Sequence, residues 1–107
     1  MAQRSKYRIT YAPEVARHVG AIDRKYHGLI RRAISEQLSH TPDKPTRNRK
    51  PLEDLPGPFG STWELRCGPA NRFRVFYEVA QSKAVWVLAI AFKERDRLFV
   101  AGKEFEP

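Results

Sequence analysis

The chain has 107 residues and one cysteine, Cys67, enough for a single domain with its own core and too few thiols for an internal disulfide, as expected of a protein in a reducing cytoplasm. Its formal charge of +8 is segregated: residues 1–50 carry 12 Lys or Arg against 4 Asp or Glu, and residues 51–107 carry 8 of each, a distribution that favours a polyanion or an acidic protein as partner. No secretory leader is expected in residues 1–11, which are polar and basic, and the nine apolar residues from Ala84 to Phe92 fall well short of the roughly 20 that a membrane helix needs.

Taken in order, Lys6 to Tyr11 alternates as a first strand, with Tyr7, Ile9 and Tyr11 on its inner face. Pro13 and Glu14 open a helix that carries Val15, Val19 and Ile22 on one narrow face and weakens at Gly20. Asp23 can cap a second helix running to about Ser39. Its apolar stripe is Tyr26, Ile30, Ala33, Ile34 and Leu38, which leaves Arg24, Lys25, Arg31 and Arg32 on a basic outer face. Thr41-Pro42 stops it. Residues 41–60 form a long proline-rich loop whose basic tip, Arg47-Asn48-Arg49-Lys50, is a candidate phosphate-backbone contact. Leu52 and Leu55 are expected to pin the loop's exit to the core.

Three antiparallel strands follow. Ser61 to Cys67 puts Trp63, Leu65 and Cys67 on one face and Thr62, Glu64 and Arg66 on the other. After the turn Gly68-Pro69-Ala70-Asn71, the next strand sets Arg72, Arg74, Phe76 and Glu78 against Phe73, Val75, Tyr77 and Val79. The apolar strand Ala84–Phe92 has the character of a strand covered on both sides. A short terminal helix is expected from about Asp96. The fold class is therefore α+β: one domain over residues 1–107, with two N-terminal helices packed on a small antiparallel sheet.

The chemistry available is cationic. His18, His27 and His40 share no metal-ligand spacing with one another or with Cys67, and no phosphate loop or nucleophile elbow is present, so no metal or small-molecule cofactor is expected. Arg66, Arg72 and Arg74, with Lys93 and Arg95 at the end of the neighbouring strand, are candidates to converge on one sheet surface. Arginine forks match phosphate oxygens, and several around one phosphodiester stabilise charge in its transition state. RNA brings its own nucleophile, the 2′-hydroxyl, leaving the protein to supply a base and a proton source. Glu64 or Glu78 fits the base by position, but the salt-bridge role beside the arginines is the favoured one for each, because a carboxylate among arginines has a lowered pKa and is a poor base. Phe76, Trp86 and Phe92 are candidates for base stacking or for burial under a helix.

In this order of elements, Lys50-Pro51-Leu52, Trp63-Glu64-Leu65-Arg66, Arg72-Phe73-Arg74-Val75-Phe76-Tyr77-Glu78-Val79 and the trailing Lys93-Glu94-Arg95 resemble the RelE/ParE superfamily of toxins from type II toxin–antitoxin systems over nearly the whole chain. The resemblance implies a β-α-α-β-β-β fold and a cytoplasmic bacterial toxin neutralised by a cognate antitoxin. Its RelE branch cleaves mRNA on the ribosome, and its ParE branch poisons DNA gyrase. In the RelE branch, which the strand motif favours, Arg74 and Lys93 match the phosphate-binding cations, with Arg66 and Arg95 in support. Arg72, Arg47, Arg49, Lys50, Arg31 and Arg32 are then candidate RNA contacts. The chain differs from the namesake toxin in offering Thr62 and Glu64 for two lysines, and Phe99 for a C-terminal tyrosine.

Overall fold

The computed structural model of the chain describes residues 6–53 and 57–106. Leu55 lies outside them. The elements run β1 (Arg8–Tyr11), α1 (Val15–Gly20), a 3₁₀ turn (Arg24–Tyr26) leading into α2 (His27–Leu38), β2 (Arg49–Pro51), a 3₁₀ turn (Pro58–Gly60), β3 (Trp63–Cys67), β4 (Phe73–Ala80), β5 (Ala84–Glu94), β6 (Arg97–Val100) and β7 (Lys103–Glu104). The sheet order is β2-β3-β4-β5-β6-β7, antiparallel throughout, and β1 adds alongside the first half of β5 in parallel. This is an α+β fold with both helices on one sheet face. Asp23 starts the second helical segment by accepting from the Lys25 amide at 3.1 Å.

The alternation in β4 divides the sheet into two faces. Phe73, Val75 and Tyr77 join Leu65, Val85, Val87 and Ile90 under Ile30, Ile34 and Leu38 of α2 in the main core. Tyr77 also donates to the Pro42 carbonyl at 2.7 Å, which ties the loop after α2 to the sheet. Arg74, Phe76 and Glu78 occupy the opposite face. In β5 the register slips between the Phe76↔Ala89 and Tyr77↔Val87 pairs. The extra residue, Leu88, is a bulge, and it moves the core-facing positions from Val85 and Val87 to Ile90 and Phe92.

That bulge sits where β5 has no strand on its outer edge: β1 pairs Ala84 to Val87, and β6 begins pairing at Ala91. His18 of α1 fills the gap. Its Nδ1 accepts the Ile90 amide at 3.3 Å, its ring is 1% exposed, and Phe59 stacks on it with centroids 5.6 Å apart.

Two expectations are corrected. The C-terminal segment forms no helix; Arg97–Val100 and Lys103–Glu104 are a β-hairpin that extends the sheet. The 41–60 segment is not loop throughout, because Arg49–Pro51 pairs with β3 as strand β2. Of the rest of that segment, Leu52 and Gly57 lie over the sheet face opposite the helices, whereas Pro42 meets Tyr77 on the helix side. Leu52 packs with Leu98 and Val100 around Phe76, Ala89 and Ala91. Gly57 approaches so closely that a Cβ there would meet Ser61 Oγ, Leu52 and Phe76. The second face is thus covered by the chain's own strap and hairpin.

Candidate functional site

The strap stops short of one end of that face, and there the cations gather. Arg72 immediately precedes β4 and Arg74 is its second residue, Lys93 and Glu94 close β5, and Arg95 is the first residue of the two-residue β5–β6 turn. The Lys93 amide donates to the Arg72 carbonyl at 2.7 Å, which holds the two strand ends together. With the turn Pro69–Asn71 these residues line a cleft of about 520 Å³. Among the described residues its only carboxylate is that of Glu94, and none of its lining residues is a histidine or tyrosine.

Arg74 is the most enclosed of these cations, at 8% exposure. Its Nε donates to the Asn71 carbonyl at 3.1 Å and its Nη1 to Glu64 Oε2 at 3.4 Å. Arg66 Nε donates to the other oxygen, Glu64 Oε1, at 3.2 Å. Arg66 and Arg74 are direct cross-strand partners, an arrangement of like charges that destabilises a sheet unless something neutralises it. Glu64, 7% exposed and one row away on β3, does so for both. Glu64 therefore fills the salt-bridge role. Glu78 sits at the far end of the sheet, paired with Trp86 rather than with the arginines.

The structure brings Arg72, Arg74, Lys93 and Arg95 into one cleft and joins Arg66 to it through Glu64. The basic loop tip is split. Lys50 is the cross-strand partner of Glu64 and is exposed, as is Arg47. Arg49 falls on the opposite parity, under the helices: it is 6% exposed and donates to the Gln37 carbonyl and to Thr41 Oγ1. It is a structural tie between β2 and α2, and is withdrawn as an RNA contact. Arg31 and Arg32 are exposed on α2, on the helix side of the sheet and away from the cleft.

Phe99 pairs with Phe92 and stacks on it at 5.2 Å. Phe92 packs against the main core, so Phe99 belongs to the helix face and cannot stand in for a tyrosine beside Arg74. Among the aromatic candidates Phe76 is buried at 3% exposure, whereas Trp86 is 42% exposed. The Cys67 thiol is buried and its pKa is pushed up to about 11 by that burial, which makes it inert. The two features that sequence reasoning missed are the Asn71 carbonyl, visible in the sequence only as part of a turn, and the ring of His18 as a sheet component.

Among the described residues, no group of three or more His, Cys, Asp or Glu is placed to hold a metal, and no helix is long and apolar enough to cross a membrane. No protein-family model matches the chain, and no curated protein matches it.

Proposed function

We propose that the chain is the toxin of a bacterial toxin–antitoxin module, a RelE-type endoribonuclease of the RelE/ParE superfamily. In this reading it cuts mRNA on the ribosome in the cytoplasm and is held inactive by a cognate antitoxin. The observation that carries it is the convergence of Arg72, Arg74, Lys93 and Arg95 on one cleft, with Arg74 held by the chain itself. A phosphodiester seated there meets the free Nη2 of Arg74 and the Lys93 ammonium on its non-bridging oxygens. As the 2′-hydroxyl attacks, charge builds on those oxygens, and fixed cations stabilise it without reorganising. No cofactor is required. Arg47, Lys50, Arg31 and Arg32 supply contacts to ribosomal RNA.

One observation favours a second reading, a gyrase inhibitor without catalysis: among the described residues the cleft lining holds a single carboxylate and neither histidine nor tyrosine for proton transfer. The two separate on induced expression with mapping of mRNA 5′ ends. The RelE reading expects growth arrest with cuts inside translated codons. Arg74→Ala, checked by its thermal melt, then lowers cleavage by about 10²–10³-fold, the scale of losing one transition-state donor. Arrest with intact mRNA and DNA damage establishes the gyrase reading. Expression without arrest removes both.

A further inference from the structure

The Glu64 carboxylate is nearly inaccessible, yet it sits between two guanidinium groups, and one of them, that of Arg74, lines the cationic cleft. Its two oxygens are divided, Oε1 to Arg66 Nε at 3.2 Å and Oε2 to Arg74 Nη1 at 3.4 Å. The Asn71 carbonyl takes Arg74 Nε at 3.1 Å. Two acceptors on two edges of one planar group fix both its position and its rotation. Nη2 is the nitrogen of Arg74 that has no protein partner among the described residues, and the lining of the cleft includes Arg74 but not Glu64.

We infer that Glu64 is a positioning residue: it holds the Arg74 guanidinium so that Nη2 faces the phosphate in the cleft, and it lets Arg66 stand opposite Arg74 without expelling it. This rests on the nuclease reading above and assigns Glu64 no proton to move. A carboxylate held between two arginine donors in this way orients the cation that acts, and a cation already oriented loses nothing to reorganisation when charge develops. The role has an unusual signature. Removing Glu64 removes a negative charge beside the cleft, so polyanion binding tightens. The same change frees the Arg74 side chain, so cleavage slows. A residue that merely supports the fold moves binding and cleavage down together, in proportion to the folded fraction. A general base is not rescued by its amide.

The test compares wild type, Glu64→Ala and Glu64→Gln, with folding followed by thermal melts. Cleavage is measured on programmed ribosomes, as the rate at saturating protein and the half-saturating concentration. The Arg74 Nε–H is followed by NMR, with and without an all-2′-deoxy decanucleotide as the uncleavable probe. Glu64→Ala is expected to lower the saturated rate by about tenfold or more while half-saturation stays equal or falls. Glu64→Gln, which keeps an acceptor for Arg74, is expected to retain most of the rate. A slowly exchanging Arg74 Nε–H is expected in wild type and Glu64→Gln, and its loss in Glu64→Ala.

Three results overturn the inference: a folded Glu64→Ala with an unchanged rate, a Glu64→Gln as slow as Glu64→Ala, or an Arg74 Nε–H signal indifferent to the substitution. If Glu64→Ala does not fold, the Glu64→Gln rate and signal decide. A wild-type protein that leaves translated mRNA intact removes the nuclease reading instead, and the Arg74 signal with the deoxy probe then decides the positioning role alone.

Discussion

The buried imidazole of His18 completes the sheet where β1 and β6 fail to meet, and a neutral ring is what that place requires. Its Nδ1 must accept the Ile90 amide. Burial lowers its pKa below the ordinary 6.5; Arg17 adds to the lowering and Glu14 opposes it. The sign follows: an unfolded His18 takes up a proton more readily than the folded one, so its contribution to stability is present above pH 6.5 and is lost as pH falls through the lowered folded value. Replacing it with leucine leaves the Ile90 N–H buried and unpaired, at a cost of about 1–3 kcal/mol at pH 7.5. His18→Leu is also expected to flatten the fall in urea midpoint between pH 7.5 and 5. A fall of the same size in both proteins removes this account of His18. Arg95 makes the opposite bargain with its surroundings. Its φ of +57° at the first position of a tight turn is a conformation that suits glycine, and it sets a guanidinium on the cleft rim. Arg95→Gly is expected to stabilise the fold by up to about 1 kcal/mol and to weaken RNA binding. A thermal melt and a salt titration measure the two effects, and a loss of stability sinks the claim that this residue is strained.

At the scale of elements, the turn before β4 shows how the arginine strand is aimed. Gly68 has a φ of +84°, and a Cβ on it would lie 2.4 Å from a ring carbon of Phe73, the residue that anchors the start of β4 in the core. Gly60 has a similar φ of +76° with open space around it. Gly60→Ala therefore carries backbone strain alone, about 1–2 kcal/mol, and Gly68→Ala, with ψ at 178° in a region open almost only to glycine, carries at least that strain plus the displacement of Phe73. Thermal melts are expected to rank Gly68→Ala clearly below Gly60→Ala; equal losses remove the Phe73 contact from the explanation. The two faces of β4 were legible in the sequence because its alternation is strict, and the placement of Arg74 opposite Val75 and Tyr77 followed from it. The Leu88 bulge was not, since a run that is apolar at every position carries no parity to slip. The sequence reads as a helix where the β6–β7 hairpin forms because Leu98-Phe99-Val100 is too short for either period to show. Its turn, Ala101-Gly102, has positive φ at both residues, a hairpin geometry that only the glycine hints at. Arg49 and Lys50 looked alike as loop cations. Only the pairing of β2 with β3 reveals that successive residues go to opposite faces, one into the core and one to solvent.

Across the whole molecule, the radius of gyration of 13.4 Å is close to the roughly 13 Å of a single domain of this size, and the basic residues lie on both sides of its sheet. The cleft cations share the strap side, while Arg31 and Arg32 ride on α2, whose Ile30, Ile34 and Leu38 cover the other side. On the ribosome reading proposed above, a cavity walled by RNA meets both patches, whereas a short oligonucleotide seated in the cleft meets one. The two patches then have separable signatures. Each phosphate contact contributes about −0.7 to −0.9 to the slope of log affinity against log salt. Arg31→Glu/Arg32→Glu is expected to make that slope for ribosome binding shallower by about 1.4–1.8, while the slope for a deoxy decanucleotide, which needs only the cleft, stays as it was. Arg72→Ala is expected to make both slopes shallower, by about one contact each. Filter binding to ribosomes and to the oligonucleotide at several salt concentrations measures all four slopes. If the helix pair changes the oligonucleotide slope as much as the ribosomal one, the two surfaces act as one patch and the two-sided arrangement has no part in binding.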